Sequence, residues 1–219
     1  MIPRALYFSI ALAVLPLAAA ADQVRLLAIG DSLTAGYGLA PKDGLVPQLQ
    51  GWLRKRGHDV LVLNAGISGD TTEGGAKRVT AEIRANHPDA VIVELGGNDL
   101  LMDLPPRIPE ANLDSILTQI DAAGLPALLV GIGRPERNER LRRSWAEIWP
   151  RLGARHGVLV HDNLYGPLLL LPESQRAHVL QEDQIHASKA GVAMIVEALG
   201  PRVEALIAEV EASKLAVGG

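Results

Sequence analysis

The sequence predicts an α/β fold: an open, parallel sheet of about five strands with helices on both faces. Three observations carry this. Short apolar runs recur along the chain; several lack polar alternation, as strands covered on both sides do; and stretches with helical spacing separate them. The runs are Val24–Ile29, Asp59–Asn64, Ala90–Leu95, Ala127–Ile132 and Gly157–His161. Between them, Leu45, Leu49 and Leu53 share one helical face, as do Ala76, Val79 and Ile83. Further stripes are Leu113/Ile116/Leu117/Ile120, Trp145/Ile148/Leu152 and Val192/Ile195/Val196/Leu199.

Local signals punctuate these elements. Asp70 with Glu73 three residues on reads as a capping box opening the second helix. Pro150 is expected to kink or end the fourth helical stretch. Asp103–Pro109 and Gly133–Asn138 read as loops, and neither an internal repeat nor a linker is visible, so residues 22–219 are expected to form one domain.

The first 21 residues differ in kind. Arg4 precedes an apolar stretch from Ala5 to Leu17 and then small residues, the layout of a secretory signal peptide cut after Ala20 or Ala21. The stretch is short, broken by Pro16 and followed by no basic stop signal, so stable membrane insertion is not expected after cleavage. The expected product is exported, periplasmic or secreted, and monomeric. With no cysteine it can carry neither a disulfide nor a thiol-linked lipid. Its net charge of −4, one unit more negative once Arg4 is removed, argues against nucleic acid as a partner. Phe8 is the only phenylalanine, so the core must be built from Leu, Val, Ile and Ala with a few Trp and Tyr.

Ligands of open parallel sheets bind beyond the carboxyl ends of the strands. The segments to inspect are therefore Gly30-Asp31-Ser32 after the first run, Ala65–Thr72 after the second and Gly96–Leu100 after the third. A nucleophilic Ser32 needs a base, a group orienting that base, and donors for the oxyanion. Of six histidines, His186 stands out because Asp183 lies three residues before it, a spacing that can bring carboxylate to imidazole on a tight turn. The Ser32 amide, Gly69 and the Asn98 side chain are the candidate oxyanion donors. Ser68 reads as part of the turn holding Gly69, and Asp31 and Asp99 as braces for loop amides.

The blocks GDSLTAGYG (30–38), NAGISGDTT (64–72), ELGGND (94–99) and DQIH (183–186) resemble, in order, those of the SGNH or GDSL-type hydrolases. Within that family they are similar to the exported thioesterase, lysophospholipase and arylesterase group. The resemblance implies a flavodoxin-like three-layer α/β/α sandwich and a serine esterase acting on esters and thioesters without a cofactor. It implies Ser32 as nucleophile, His186 as base, Asp183 as its partner, and Ser32, Gly69 and Asn98 as the oxyanion hole. It departs at Gln184 and Ala187, where the family often has glycine and proline, and at Gly133–Asn138, so preference for acyl length does not carry over.

Other readings make different demands. A carbohydrate O-deacetylase would share the superfamily, but the apolar stretch Leu164–Pro172 suits an acyl group better. A periplasmic binding module would not need all three of Ser32, Asp183 and His186. A metal-dependent phosphoesterase would use His161, Asp162, Asp183 and His186 as ligands. The arginines between Arg134 and Arg143 read as a solvated helix face.

Overall fold

A computed structural model describes residues 23–133 and 138–218. The proposed signal segment, and Arg134–Arg137 of the arginine-rich stretch, lie outside the described residues.

Five strands, β1 (Val24–Gly30), β2 (Val60–Gly66), β3 (Ala90–Glu94), β4 (Ala127–Val130) and β5 (Leu159–His161), form one all-parallel sheet in the order 2-1-3-4-5. Each lies within two residues of the run that predicted it. Every residue of central β3 and β4 is buried, whereas edge strand β5 is only half-buried, which accounts for the unbroken apolar character of the former.

The principal helices are α2 (Leu45–Lys55), α3 (Thr72–Asn86), α5 (Arg107–Ala122), α7 (Ile148–His156) and α10 (Lys189–Gly218). Short helices α1 (Ser32–Ala35), α4 (Gly97–Leu101), α6 (Glu139–Ala146), α8 (Gly166–Leu169) and α9 (Glu173–Val179) decorate the connections. Helices α3, α5 and α7 pack together on one face, and α2 and α10 on the other. This is the flavodoxin-like sandwich. Three helices bury the expected stripe: Leu49 and Leu53 of α2, Leu113, Ile116, Leu117 and Ile120 of α5, and Ile195, Val196 and Leu199 of α10 are all at most 3% exposed, whereas in α3 Val79 is buried and Ala76 and Ile83 are half-buried. Trp145 and Trp149 supply the aromatic bulk of this otherwise aliphatic core, their rings 6.3 Å apart.

Two local readings are corrected and one holds. The N-cap of α3 is Thr71, whose hydroxyl accepts from the Gly74 amide; Asp70 instead meets Arg78, two turns into the same helix. The fourth helical stretch breaks at Glu147, as expected of Pro150, which sits in the first turn of α7 and lacks the N–H that would continue the ladder to Ala146. Helix α5 begins at Arg107, so the tail of the 103–109 segment is helical rather than loop.

From β1 the chain turns to β2 on one side, while from β3 it continues to β4 on the other. The reversal leaves a crevice at the carboxyl ends of β1 and β3, where such sheets hold ligands.

Candidate active site

Ser32 opens α1 directly after β1. The turn into it is tight: a Cβ on Gly30 would lie 2.0 Å from Thr34 Oγ1, so only glycine fits. Asp31 caps α1 by accepting from the Leu33 amide at 2.9 Å. Asn98 lies in α4, just beyond β3, and Gly69 in the turn after β2. That turn closes with the Asp70 amide donating to the Ile67 carbonyl, and Gly69 takes φ +83°, the type II conformation that favours glycine at its third position.

His186 comes from the segment between α9 and α10. Its Nε2 lies 2.8 Å from Ser32 Oγ, and its Nδ1 lies 2.6 Å from Asp183 Oδ2. The other Asp183 oxygen accepts the amides of Ile185 and His186, at 2.9 and 3.0 Å. One carboxylate thus fixes both the ring and the backbone that bears it. Burial opposes ionisation of Asp183, but the hydrogen bonds from the His186 ring and the two amides outweigh it and hold the carboxyl down at about 2. It is therefore ionised at any pH where the imidazole works. Tyr37 covers the ring with centroids 4.6 Å apart, and the Tyr165 hydroxyl donates to the Ile185 carbonyl at 2.8 Å.

Gln184 takes φ +58° in this loop. The left-handed region is where glycine is free and other residues are strained, so Gln184 bears a local cost at this position. Its amide and side-chain nitrogens both donate to the Gln181 carbonyl and hold the turn.

Residues of ordinary appearance in sequence assemble the rest. Arg78 donates to the Gly30 carbonyl (3.0 Å), the Ala65 carbonyl (2.7 Å) and Asp70 (2.8 Å), tying the ends of β1 and β2 to the Gly69 turn. Gln181 donates from its side chain to the carbonyls of Tyr37 and Ala187, and from its amide to the His186 carbonyl. It thereby joins the serine loop to the histidine loop. Asp99, fully buried, accepts from the amide and hydroxyl of Thr72.

Two further carboxyls lie beneath the serine. Glu94 accepts from Thr34 Oγ1 at 2.8 Å, and burial together with the neighbouring Asp31 raises its carboxyl well above the usual range. Asp31 is 2% exposed and pushed up to about 6, mainly by burial, with Asp70 and Asp99 adding repulsion and the Leu33 amide and His186 opposing. The fold therefore binds the Asp31 proton more tightly than the unfolded chain does. Stability from this group is fully present below about pH 4 and declines as pH rises toward 6. Asp31→Asn is expected to raise Tm at pH 8, by an amount corresponding to on the order of 2 kcal/mol, and to leave it nearly unchanged at pH 4. Thermal melts at the two pH values check this.

A cavity of about 530 Å³ opens over Ser32 and His186, lined also by Gly69, Asn98 and leucines. The structure thus brings Ser32, Gly69, Asn98 and His186 to one pocket, with Asp183 behind the ring. Ser68, second in the Ile67–Asp70 turn, lines the pocket, but the imidazole bonds Ser32 instead. His161, Asp162, Asp183 and His186 do not converge: among the described residues no group of three or more such side chains could hold a metal ion.

Comparison with known proteins agrees. The GDSL-like lipase/acylhydrolase family matches residues 28–194. The chain is 33% identical to esterase TesA of Pseudomonas aeruginosa, over 93% of this chain and all of that protein. It is 32% identical to thioesterase 1/protease 1/lysophospholipase L1 of Escherichia coli, over 87% of each chain. Among solved structures, that of TesA superimposes with a TM-score of 0.76 at 31% identity, over 83% of this chain and 99% of the other. That of AlinE4, an SGNH-hydrolase family esterase, does so at 0.70 and 32%, over 85% and 97%. The chain belongs to the GDSL-like lipase/acylhydrolase family and is an ester-hydrolysing serine hydrolase.

Proposed function

We propose that Ser32 is the nucleophile of this hydrolase, His186 its general base and Asp183 the group that orients and charges the imidazole. The observation that carries this is the continuous hydrogen-bond chain from Ser32 Oγ through the two ring nitrogens to Asp183. His186 Nε2 takes the hydroxyl proton as Oγ attacks the acyl carbonyl. The Ser32 and Gly69 amides and the Asn98 side chain receive the oxyanion, His186 returns the proton to the leaving alcohol or thiol, and water cleaves the acyl-enzyme by the same relay.

The substrates are carboxylic esters and acyl thioesters, a reading supported by the apolar lining of the cavity and by relatives named arylesterase and thioesterase. The same pattern of apolar walls disfavours a carbohydrate O-deacetylase, whose substrate would leave them wet. Residues 1–21 direct export and are removed, leaving a periplasmic or secreted monomer; Arg4, the apolar stretch and the small residues before Asp22 support this. Among the described residues no helix is long and apolar enough to cross a membrane.

A panel of p-nitrophenyl esters and acyl-CoAs set against acetylated sugars tests the reading. Turnover of the first two classes at rates well above the third is expected, with one equivalent of organophosphonate bound at Ser32. Preferential deacetylation of sugars would overturn the substrate assignment.

A further inference from the structure

The catalytic cavity is not isolated. A second cavity of about 800 Å³ adjoins it, and the two share Leu100, Ile132, Leu169 and Arg176 as walls. Arg176, on α9, is the only lysine or arginine among the described residues lining the catalytic cavity. Its Nε donates to the Leu171 carbonyl at 2.9 Å, which anchors the guanidinium base, and neither terminal nitrogen has a hydrogen-bond partner among the described residues. Asp31, the acidic residue of the same cavity, is not its counter-ion, being buried and bonded to Leu33 and Asn98. The adjoining cavity, which Arg176 also lines, carries Arg142, Asp103 and Asp162.

A half-buried guanidinium beside leucine and isoleucine walls is in a less polarisable medium than water, where a charge-assisted hydrogen bond is worth more. Its planar fork matches a carboxylate's two oxygens. A substrate arm extending from Ser32 in this cavity has apolar walls and this cation to bind against.

We propose that Arg176 is a specificity-determining residue that selects esters bearing an anionic oxygen group, such as a carboxylate, at the end of an apolar arm. The proposal rests on the reading of Ser32 as nucleophile and adds a substrate class to it. A plain fatty ester leaves the guanidinium facing apolar walls, whereas an ω-carboxylate pairs with it, so the ratio of kcat/KM between the two reports the interaction directly.

The test uses three chromogenic esters: p-nitrophenyl hexanoate, the mono-p-nitrophenyl ester of adipic acid, and the hexanoyl ester of a hydroxynitrobenzoate. The second carries its charge on the acyl side and the third on the leaving-group side, so together they locate the anion. In R176Q the ratio of kcat/KM for one anionic ester over the neutral one is expected to fall about tenfold relative to wild type. R176K should keep most of that ratio, and added salt should narrow it in the wild type. A ratio within twofold of wild type for both anionic esters in R176Q overturns the proposal. Turnover of the neutral ester by wild type, and its loss in S32A, tests the nucleophile separately, so the two failures are distinct.

Discussion

Replacing Ser32 by alanine is expected to lower kcat by about 10⁵-fold while leaving the fold intact, because the substitution removes one oxygen at the start of α1. The bond to His186 Nε2 is lost, but the ring stays held by Asp183 and covered by Tyr37. His186→Ala should cost a similar factor, and the double variant little more than either alone, since the two act as one unit. That non-additivity separates a relay from two independent contributions. Steady-state rates on a p-nitrophenyl ester, with organophosphonate labelling followed by mass spectrometry, check the expectation. Activity of S32A within tenfold of wild type would remove Ser32 from the mechanism. Asp183→Asn should cost less than either: its carbonyl can still accept one bond, but it no longer offsets the imidazolium charge.

How much of this was legible in the sequence follows from which contacts are local. Strands β3 and β4 could be read because both their faces are covered, which forces an unbroken apolar run. His186 could be paired with Asp183 because three residues of turn separate them, and Ser32 could be joined to both through the ordered blocks that resemble a known family. Arg78 could not be found this way. It lies on a helix where an arginine ordinarily faces solvent, and its three acceptors come from the ends of two strands and a turn. Gln181 was equally silent, since its partners Tyr37 and Ala187 are set by the approach of two distant loops. Thr71 takes the place of the expected cap because Asp70 is bound by Arg78, two turns into the same helix, a pairing that the capping-box pattern does not signal. Arg176 has no local signature at all, because its significance lies in which cavity walls α9 completes.

Removing the Asn98 amide is expected to lower kcat by about 10²–10³-fold with a much smaller change in KM, the pattern of a donor used only as charge develops on the substrate oxygen. Asn98 Nδ2 donates to the Asp70 carbonyl at 2.8 Å and to Asp31 Oδ2 at 3.2 Å. The shorter bond sets the orientation of the amide, and the longer one is the bond an oxyanion is expected to displace, with little reorganisation before the reaction. Asn98→Ala takes away the donor and also leaves the Leu33 amide as the remaining hydrogen-bond donor to Asp31 among the described residues, a second electrostatic penalty that alanine cannot relieve. Asn98→Asp should be worse than alanine above about pH 6, because it would add another carboxylate beside Asp31, and should recover toward the alanine level as pH falls and Asp31 takes up a proton. The rates of the two variants on one neutral ester between pH 5 and 8 check the charge effect: a gap that widens with pH is the expected result, and parallel profiles would mean that a charge at this position does not reach the developing oxyanion.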